Sequence, residues 1–228
     1  MPAKNGEVTN RIENADTETR SVAKGAERQS PARRWRMKDA ITLAIFNVIL
    51  LVILMVVTLV FGMLLPGISY MIAYGIAGIL TGPVYMVMAN RINKHGILLF
   101  TALIDGVFYA VMGMPHYLLF FAVGGACCEL AMWGKDAYRS VPRNALGYAL
   151  LYVFFFLSGV FPLILFRDSY LEAVGAMYAP EQIEAMLYYY GTPHIILISC
   201  LLAAAGAVLG VIIGGVFVKR HVKKAKLV

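Results

Sequence analysis

Long apolar runs, broken by short polar stretches, make up most of the chain from residue 40 onwards. The first run covers residues 40–65, and no charged residue occurs between Asp39 and Arg91. At about 1.5 Å of rise per residue, a helix over this run reaches about 39 Å, more than the roughly 30 Å hydrocarbon core of a bilayer. Lipid offers no partner to backbone N–H and C=O groups, whereas a helix pairs them within itself. The run therefore predicts a membrane-spanning helix.

Five further apolar runs follow, and proline, glycine or charged residues separate them. They cover residues 68–90, 97–112, 116–133, 144–166 and 194–218. Runs of this composition are typical of helices that lie in lipid. We therefore predict an all-α, polytopic membrane protein with six transmembrane helices in one bundle.

The two ends of the chain differ from this bundle in composition. Residues 1–36 carry eight Lys or Arg, five acidic residues and few large apolar side chains. A stretch of this kind cannot bury enough apolar surface to fold. We predict a disordered basic tail over residues 1–36, a transmembrane domain over residues 37–220 and a second basic tail over residues 221–228.

Basic residues cluster in alternate connections between the apolar runs. One set of connections and tails holds Arg33, Arg34, Arg36, Lys38, Arg91, Lys94, Lys135, Arg139, Arg143, Lys219, Arg220, Lys223, Lys224 and Lys226. The other set holds only Arg167. Because cytoplasmic loops carry the excess of Lys and Arg, we predict a multi-pass protein of the cell membrane with both tails in the cytoplasm. The net charge of +7 would suggest nucleic acid for a soluble protein, but here the charges border apolar runs and indicate the bilayer instead.

The long connection on the opposite side, residues 167–193, has start signals for two short helices. Ser169 and Glu172 have the spacing of a capping box, and Pro180 is typical of a first helical turn. In the second helix an apolar stripe consists of Ile183, Met186, Leu187 and Tyr190. The stripe predicts an amphipathic helix, which either rests on the mouth of the bundle as a lid or lies in the headgroup layer.

Asp105 and Glu129 are the acidic residues within the apolar runs. A charge in hydrocarbon costs at least about 2.5 kcal/mol, so each side chain has to be neutral, paired or turned to a polar interior. For Asp105 the alternatives are a proton- or cation-linked site, a ligand contact, or a hydrogen bond between helices. For Glu129 a pairing with Lys135 or Arg139 is a further alternative.

Candidate ligand-binding side chains gather at the outer ends of the runs, opposite the basic connections. Together with the buried acid, the candidates are Tyr70, Asp105, His116, Tyr117, Arg167, Tyr190 and His194. Their convergence would form an aromatic, polar-tipped pocket for a small organic or metal-bearing ligand. The alternative is an ordinary interfacial belt of aromatic and histidine side chains. These residues lack metal-ligand spacing, so we predict neither a metal site nor a cofactor.

Small residues recur every four positions on three of the runs. They are Ala40 and Ala44 in the first run, Gly78 and Gly82 in the second, and Gly206, Gly210 and Gly214 in the sixth. Such stripes let helix backbones approach closely. For the sixth run we expect packing within the bundle. For the first run, a surface that meets another protein is an equal alternative.

The chain lacks the motifs of a nucleotide-hydrolysing or metal-dependent enzyme. It has no G-x-x-x-x-G-K-[ST] loop for phosphates and no H-E-x-x-H helix for zinc. A nucleophile with an adjacent base is not visible either. We predict that the protein is not an enzyme, and that uphill transport would draw its energy from other chains.

Three segments carry a family resemblance: LTGPVYMVMANRINKHG, GGACCELAMWGKDAYRS and MYAPEQIEAM. With these segments, six predicted spans and Ala40-x-x-x-Ala44, the chain resembles the substrate-binding S components of energy-coupling factor transporters, and more narrowly the Trep_Strep group. The resemblance covers residues 37–219. It departs from the nickel and cobalt members, which place a histidine directly after the initiator, where this chain has Pro2.

The resemblance implies a function and partners. In that family the membrane protein binds a micronutrient from outside, and a transmembrane coupling protein with two ATPase subunits drives uptake. Ala40 and Ala44 would pack against the coupling protein, and the ligand would lie under the outer loops. We therefore expect a substrate-binding subunit of an ATP-driven importer for a micronutrient or a small organic or metal-bearing solute. The alternative is a proton-coupled secondary transporter that uses Asp105 and works without ATPase partners.

Overall fold

The computed structural model describes residues 35–65, 67–134, 136–176 and 178–222, with the backbone alone at 221 and 222. The chain divides into two units, Met1–Arg36 and Met37–Val228. Apart from Trp35 and Arg36, the predicted N-terminal tail lies outside the described residues, as do residues 223–228 of the predicted C-terminal tail. The helices described below all belong to the second unit.

Within the described residues the fold is all-α, as predicted. The eight α-helices are α1 Met37–Leu64, α2 Ser69–Ile92, α3 Ile97–Val111, α4 His116–Ala131, α5 Val141–Leu165, α6 Arg167–Gly175, α7 Pro180–Gly191 and α8 Pro193–Phe217. A 3-10 turn, Ala137–Arg139, precedes α5, and a π-helical turn, Val218–Val222, follows α8. The two short helices predicted between the fifth and sixth apolar runs are therefore present as α6 and α7.

Four helices of the described part are long and apolar enough to cross a membrane. They are Met37–Leu64, Ser69–Ile92, Val141–Leu165 and Pro193–Arg220. By contrast, α3 and α4 have only 15 and 16 residues. At about 1.5 Å per residue they reach about 22 to 24 Å, less than the roughly 30 Å of the hydrocarbon core. Four of the six predicted spans thus meet this criterion, and the count of six stays a prediction.

Contacts between loops show that successive long helices run in opposite directions. At one end, Lys94 before α3 forms an ion pair with Asp39 of α1. At the same end, the Asn93 side chain donates to Asp136 at 2.7 Å. We call this end the basic end, because Arg91, Lys94, Arg139 and Arg143 lie in or beside the connections at this end. The other end, where α6 and α7 lie over the bundle, is called the capped end.

A seam of glycines joins α2 to α8. A Cβ atom on Gly78 would lie 2.7 Å from the backbone nitrogen of Ala207, and one on Gly206 would overlap the carbonyl oxygen of Gly75. A Cβ atom on Gly210 would overlap the carbonyl oxygen of Gly78. Backbone therefore packs on backbone, which only glycine permits. The predicted packing of the sixth apolar run within the bundle is confirmed.

Glu129 organises the basic end through hydrogen bonds between segments, which is one of the alternatives that the sequence left open. Its Oε1 accepts a hydrogen bond from the Gly96 N–H at 2.7 Å, and its Oε2 accepts one from the Tyr138 hydroxyl at 2.5 Å. The Tyr138 hydroxyl oxygen accepts in turn from the Leu98 N–H at 3.1 Å. These bonds satisfy amide donors at the start of α3, which the helix itself cannot pair. Glu129 therefore holds the start of α3, and its Oε1 also lies 3.5 Å from the His95 Nδ1 atom. Among the described residues Arg139 is not its partner, and Lys135 lies outside them.

The cap, defined as α6 and α7, packs on the bundle through its apolar stripe. Met186 and Tyr190 are buried, and Ile183 and Leu187 pack against the core. The lid alternative is therefore the one that the structure favours. Pro180 opens α7 as predicted. The capping box at Ser169 is wrong, because α6 already begins at Arg167 and Ser169 lies in its first turn.

Candidate functional site

A cavity of about 540 Å³ lies at the capped end, between the bundle and the cap. Residues of α1 to α7 line it. They include Met55, Thr58, Leu59, Gly62, Met63, Gly67, Ser69, Tyr70, Ala73, Tyr74, Tyr109, Met114, Tyr117, Ser158, Gly159, Tyr170, Val174, Tyr178, Glu181, Gln182, Ala185, Met186 and Tyr190. Pockets of about 300 to 1,000 Å³ bury most of a drug-sized ligand. The cavity is thus large enough for an organic solute.

Tyrosine is the dominant side chain of this cavity. Seven tyrosines line it: Tyr70, Tyr74, Tyr109, Tyr117, Tyr170, Tyr178 and Tyr190. Among the lining residues that the structure describes, Glu181 is the only one with a formal charge at neutral pH, and it lies in the exposed first turn of α7. The walls therefore offer aromatic surface and neutral hydroxyl groups, with a negative charge at the rim.

Helical spacing explains how the tyrosines converge. Tyr70 and Tyr74 are four residues apart on α2, so they project from the same face. Tyr109 from α3 stacks on Tyr117 from α4, with ring centroids 5.1 Å apart and planes 25° apart. The break between these two helices, at Gly113 with its φ of 97°, folds one ring onto the other. Helix α2 and the pair α3–α4 thus each supply two tyrosines to the lining.

Tyr190 closes the cavity from the cap. Its ring makes edge contacts with Tyr70, at 5.3 Å between centroids, and with Phe156, at 5.6 Å. The ring fits there because Gly159 on α5 has no side chain: a Cβ atom at that position would lie 2.6 Å from the Tyr190 ring. Edge-to-face geometry is a favoured arrangement for aromatic pairs. The position of α7 therefore depends on one glycine and two rings.

Two hydrogen bonds involve polar groups of the cap. The Tyr70 hydroxyl donates to the Gln182 carbonyl oxygen of α7 at 3.3 Å. The Tyr170 hydroxyl donates to the Met186 sulfur at 3.7 Å, which links α6 to α7. Burial raises the pKa of Tyr170 to about 12, so its hydroxyl remains protonated at neutral pH. Both hydroxyl groups are therefore neutral, and both already donate to atoms of the cap.

Three of the seven candidate residues from the sequence come together in this cavity. Tyr70, Tyr117 and Tyr190 line it. His116 lies beside it with its ring 5.5 Å from that of Phe166, and its buried Nε2 has no hydrogen-bond partner. Arg167 and His194 are exposed and are not among the lining residues. The predicted aromatic pocket is thus present, but without its basic members.

Asp105 lies away from the large cavity. It is 4% exposed and lines a separate small cavity of about 10 Å³, with Thr101, Tyr148 and Tyr152 among its neighbours. That volume is room for about one water molecule. No Lys, Arg or His occurs among the residues described for this lining. A ligand-binding or proton-linked role for Asp105 stays a prediction.

Sequence reasoning missed several tyrosines that the structure places in the lining. Tyr74, Tyr109 and Tyr170 belong to this group. For Tyr74 the signal was present, because it lies one helical turn after the predicted Tyr70. For Tyr170 no periodicity was visible, since α6 has only nine residues. Its burial depends on how the cap packs, which is a tertiary property.

Ala40 and Ala44 lie on an open face of α1 at the basic end. Both are exposed, and Ile41 and Ile45 beside them are each 56% exposed. Within the described part of the chain this face packs against no other helix. The stripe is therefore free for lipid or for another protein, and its predicted role as a partner interface is not decided by the fold.

The match to a family model agrees with this architecture. A model described as "Hypothetical bacterial integral membrane protein (Trep_Strep)" matches residues 37–224. The chain belongs to this family. The Trep_Strep chain is thus an integral membrane protein, and the narrower resemblance seen in its sequence is confirmed. No curated protein and no solved structure matches it.

Replacing Gly159 of the Trep_Strep chain by alanine is expected to loosen the cap. The new Cβ atom meets the Tyr190 ring, which can swing away, rather than backbone, which cannot. Overpacking of this kind costs about 1 to 3 kcal/mol. Hydrogen exchange should show faster exchange of the α7 amides while α2 and α8 keep their protection. As a control, Gly175→Ala should leave exchange unchanged, because no atom lies within 4 Å of the added carbon. Equal exchange in both variants would contradict the packing role of Gly159.

Proposed function

We propose that this Trep_Strep chain is the solute-binding subunit of an uptake system in the cell membrane. The observation that carries the proposal is the cavity of about 540 Å³ between the bundle and the cap. A cavity lined by five helices of the bundle and by the two helices of the cap is suited to bind a solute and shield part of it from water. In this proposal the chain crosses the membrane six times.

The distribution of charge supports an outward orientation of the cavity. Basic side chains at the opposite end include Arg91, Lys94, Arg139, Arg143, Lys219 and Arg220. Cytoplasmic loops carry the excess of Lys and Arg. The basic end is accordingly proposed to face the cytoplasm with both termini, and the capped end to face the exterior. The cavity then opens to the side from which a nutrient arrives.

Energy is proposed to come from partner chains. The sequence has no phosphate-binding loop, so the chain needs a transmembrane coupling protein and two ATPase subunits to move solute uphill. The open face around Ala40 and Ala44 supports this, because small exposed residues let another helix approach closely. The Asp39–Lys94 ion pair ties this part of α1 to the loop before α3. A partner on this face would thus act on more than one helix.

In the proposed cycle, solute enters from outside while the cap is displaced, and the cap then packs back over it. Tyr190 and Met186 return to their buried positions when the cap closes. Movement of the whole subunit against the coupling protein, driven by ATP hydrolysis, then exposes the cavity to the cytoplasm. The chain's own residues bind and enclose the solute, and the partners supply the work.

Affinity purification of the full chain in mild detergent tests the proposal. Mass spectrometry of the eluate should identify a membrane coupling protein, two proteins with phosphate-binding loops and a bound small molecule. Vesicles that hold all four proteins should accumulate that molecule only with ATP. Accumulation by vesicles that hold this chain alone, driven by a proton gradient, would overturn the proposal in favour of a transporter that uses Asp105.

A further inference from the structure

We propose that the cavity takes an organic cation, a solute whose positive charge lies on a quaternary or heteroaromatic nitrogen. This inference rests on the proposed function, because it names the class of solute for the same cavity. The tyrosine lining and the sign of the charges around it carry the argument. An inorganic ion is excluded by size, since a bare ion would leave most of about 540 Å³ unfilled.

The rings surround the cavity from several helices. Tyr70 and Tyr74 come from α2, Tyr109 from α3 and Tyr117 from α4, while the cap adds Tyr170. An accessible face of a tyrosine ring carries negative electrostatic potential, which attracts a cation within about 6 Å of the ring centre. A quaternary or ring nitrogen spreads its charge over carbon atoms, so it loses less hydration on entering such a cavity than an ammonium group does. The lining is therefore matched to a diffuse positive charge.

The charged groups near the cavity also favour a cationic solute over an anionic one. Glu181 at the rim is acidic, and the described lining contains no Lys, Arg or His. Arg167 and His194, the basic candidates from the sequence, lie outside the lining. An anionic solute would therefore meet no counter-charge and would lose its hydration without compensation. A carboxylate at the mouth raises the local concentration of cations instead.

The methionine side chains of the lining also favour an organic cation. Met55, Met63, Met114 and Met186 line the cavity beside the rings. Thioether side chains are polarisable and adapt to irregular ligand shapes. Methionine and tyrosine together form a wall that accepts a flat, charged ring without a strong hydrogen-bond requirement. The hydroxyl groups of Tyr70 and Tyr170 are already engaged with the cap.

The test uses three fluorescent probes of nearly equal shape on the full chain in lipid nanodiscs, with empty nanodiscs as the background. N-methylacridinium is a cation, N-methylacridone is neutral and acridine-9-carboxylate is an anion at pH 7.5. Fluorescence anisotropy should show the cation binding at least about tenfold more tightly than the neutral probe, a ratio within the range of cation–π attraction. The anion should not bind measurably. Equal or tighter binding of the neutral probe or of the anion would overturn the inference.

Substitutions of tyrosine test whether the cationic probe binds in the cavity. Tyr74→Leu should weaken binding of the cation about tenfold, whereas Tyr74→Phe, which keeps the ring, should stay within about threefold of the native chain. Tyr188→Leu is the matched control, because Tyr188 is 60% exposed on α7 and does not line the cavity. It should bind like the native chain. Equal losses in Tyr74→Leu and Tyr188→Leu would contradict binding in the cavity.

The inference and the proposed function fail in different ways. If the small molecule that co-purifies is neutral or anionic and the four-protein vesicles accumulate it with ATP, the proposed function stands and the cation inference falls. If the cation binds but no partner co-purifies and no ATP-dependent accumulation occurs, the importer falls and the preference of the cavity stands.

Discussion

Gly210→Leu is expected to prevent the protein from folding stably. A Cβ atom at Gly210 already overlaps the carbonyl oxygen of Gly78 and lies 3.0 Å from the Cα atom of Ile79. Both obstacles are backbone atoms, so the only relief is separation of α2 from α8. Overpacking in a core costs about 1 to 3 kcal/mol even when side chains can yield, and here they cannot. Purification yield and the thermal midpoint in detergent measure the effect, and Gly210→Ala should show a smaller loss in the same direction.

Gly62→Ala is the matched control for this prediction. Gly62 is also a helical glycine, in α1, but no atom lies within 4 Å of an added Cβ. Alanine is favoured over glycine in a helix by about 1 kcal/mol, so this variant should keep or raise the midpoint. A Gly210→Ala protein as stable as Gly62→Ala would show that α2 and α8 do not approach each other in the way described.

The double variant Ala40→Trp with Ala44→Trp is expected to abolish uptake and to leave solute binding intact. Two indole rings on the open face of α1 would hold any partner helix several ångströms away. The cavity lies at the opposite end of the bundle, so its lining does not change. Uptake in vesicles with the partner proteins and ATP measures the first effect. Anisotropy with N-methylacridinium measures the second.

Leu209→Trp with Ile213→Trp on α8 is the control for this pair. These residues are also four positions apart, apolar and each 51% exposed. If α1 alone carries the partner surface, the control pair should transport nearly as well as the native chain. Unchanged transport in the Ala40 and Ala44 variant would remove α1 from the proposed interface.

The helices and their packing were largely predictable from the sequence, for a physical reason. Lipid forces long, uninterrupted apolar runs, and the breaks at Gly96, Gly113 and the loop before Ser140 are visible as glycine or charge. Small residues at a spacing of four, such as Gly206 and Gly210, indicate close packing because little else explains them on an apolar helix. The bounds of α3 and α4 were predicted to within two residues, whereas the crossing of the membrane by helices this short stays a prediction.

The sequence predicted an aromatic pocket at the capped end, but it did not predict correctly which residues line that pocket. Tyrosine at the capped end was expected, and Tyr70, Tyr117 and Tyr190 line the cavity. The sequence could not separate these from His194 and Arg167, because all of them lie near helix ends and only tertiary packing decides which face inwards. Glu129 shows the same limit. Nearby Lys135 and Arg139 suggested an ion pair, whereas its hydrogen-bond partners are one backbone amide and one hydroxyl group.

Backbone contacts between α2 and α8 and side-chain contacts of α7 imply that the two regions differ in how easily they move. Where α2 meets α8, glycine backbones touch, so no part of that seam moves without disrupting the bundle. Where α7 meets α5, the Tyr190 ring rests on Gly159, and the other contacts of α7 are side-chain packing and two weak hydrogen bonds. Local opening in proteins occurs where few contacts must be broken. Displacement of the cap is therefore expected to be faster than unfolding of the bundle, so solute exchange should not require the helices to separate.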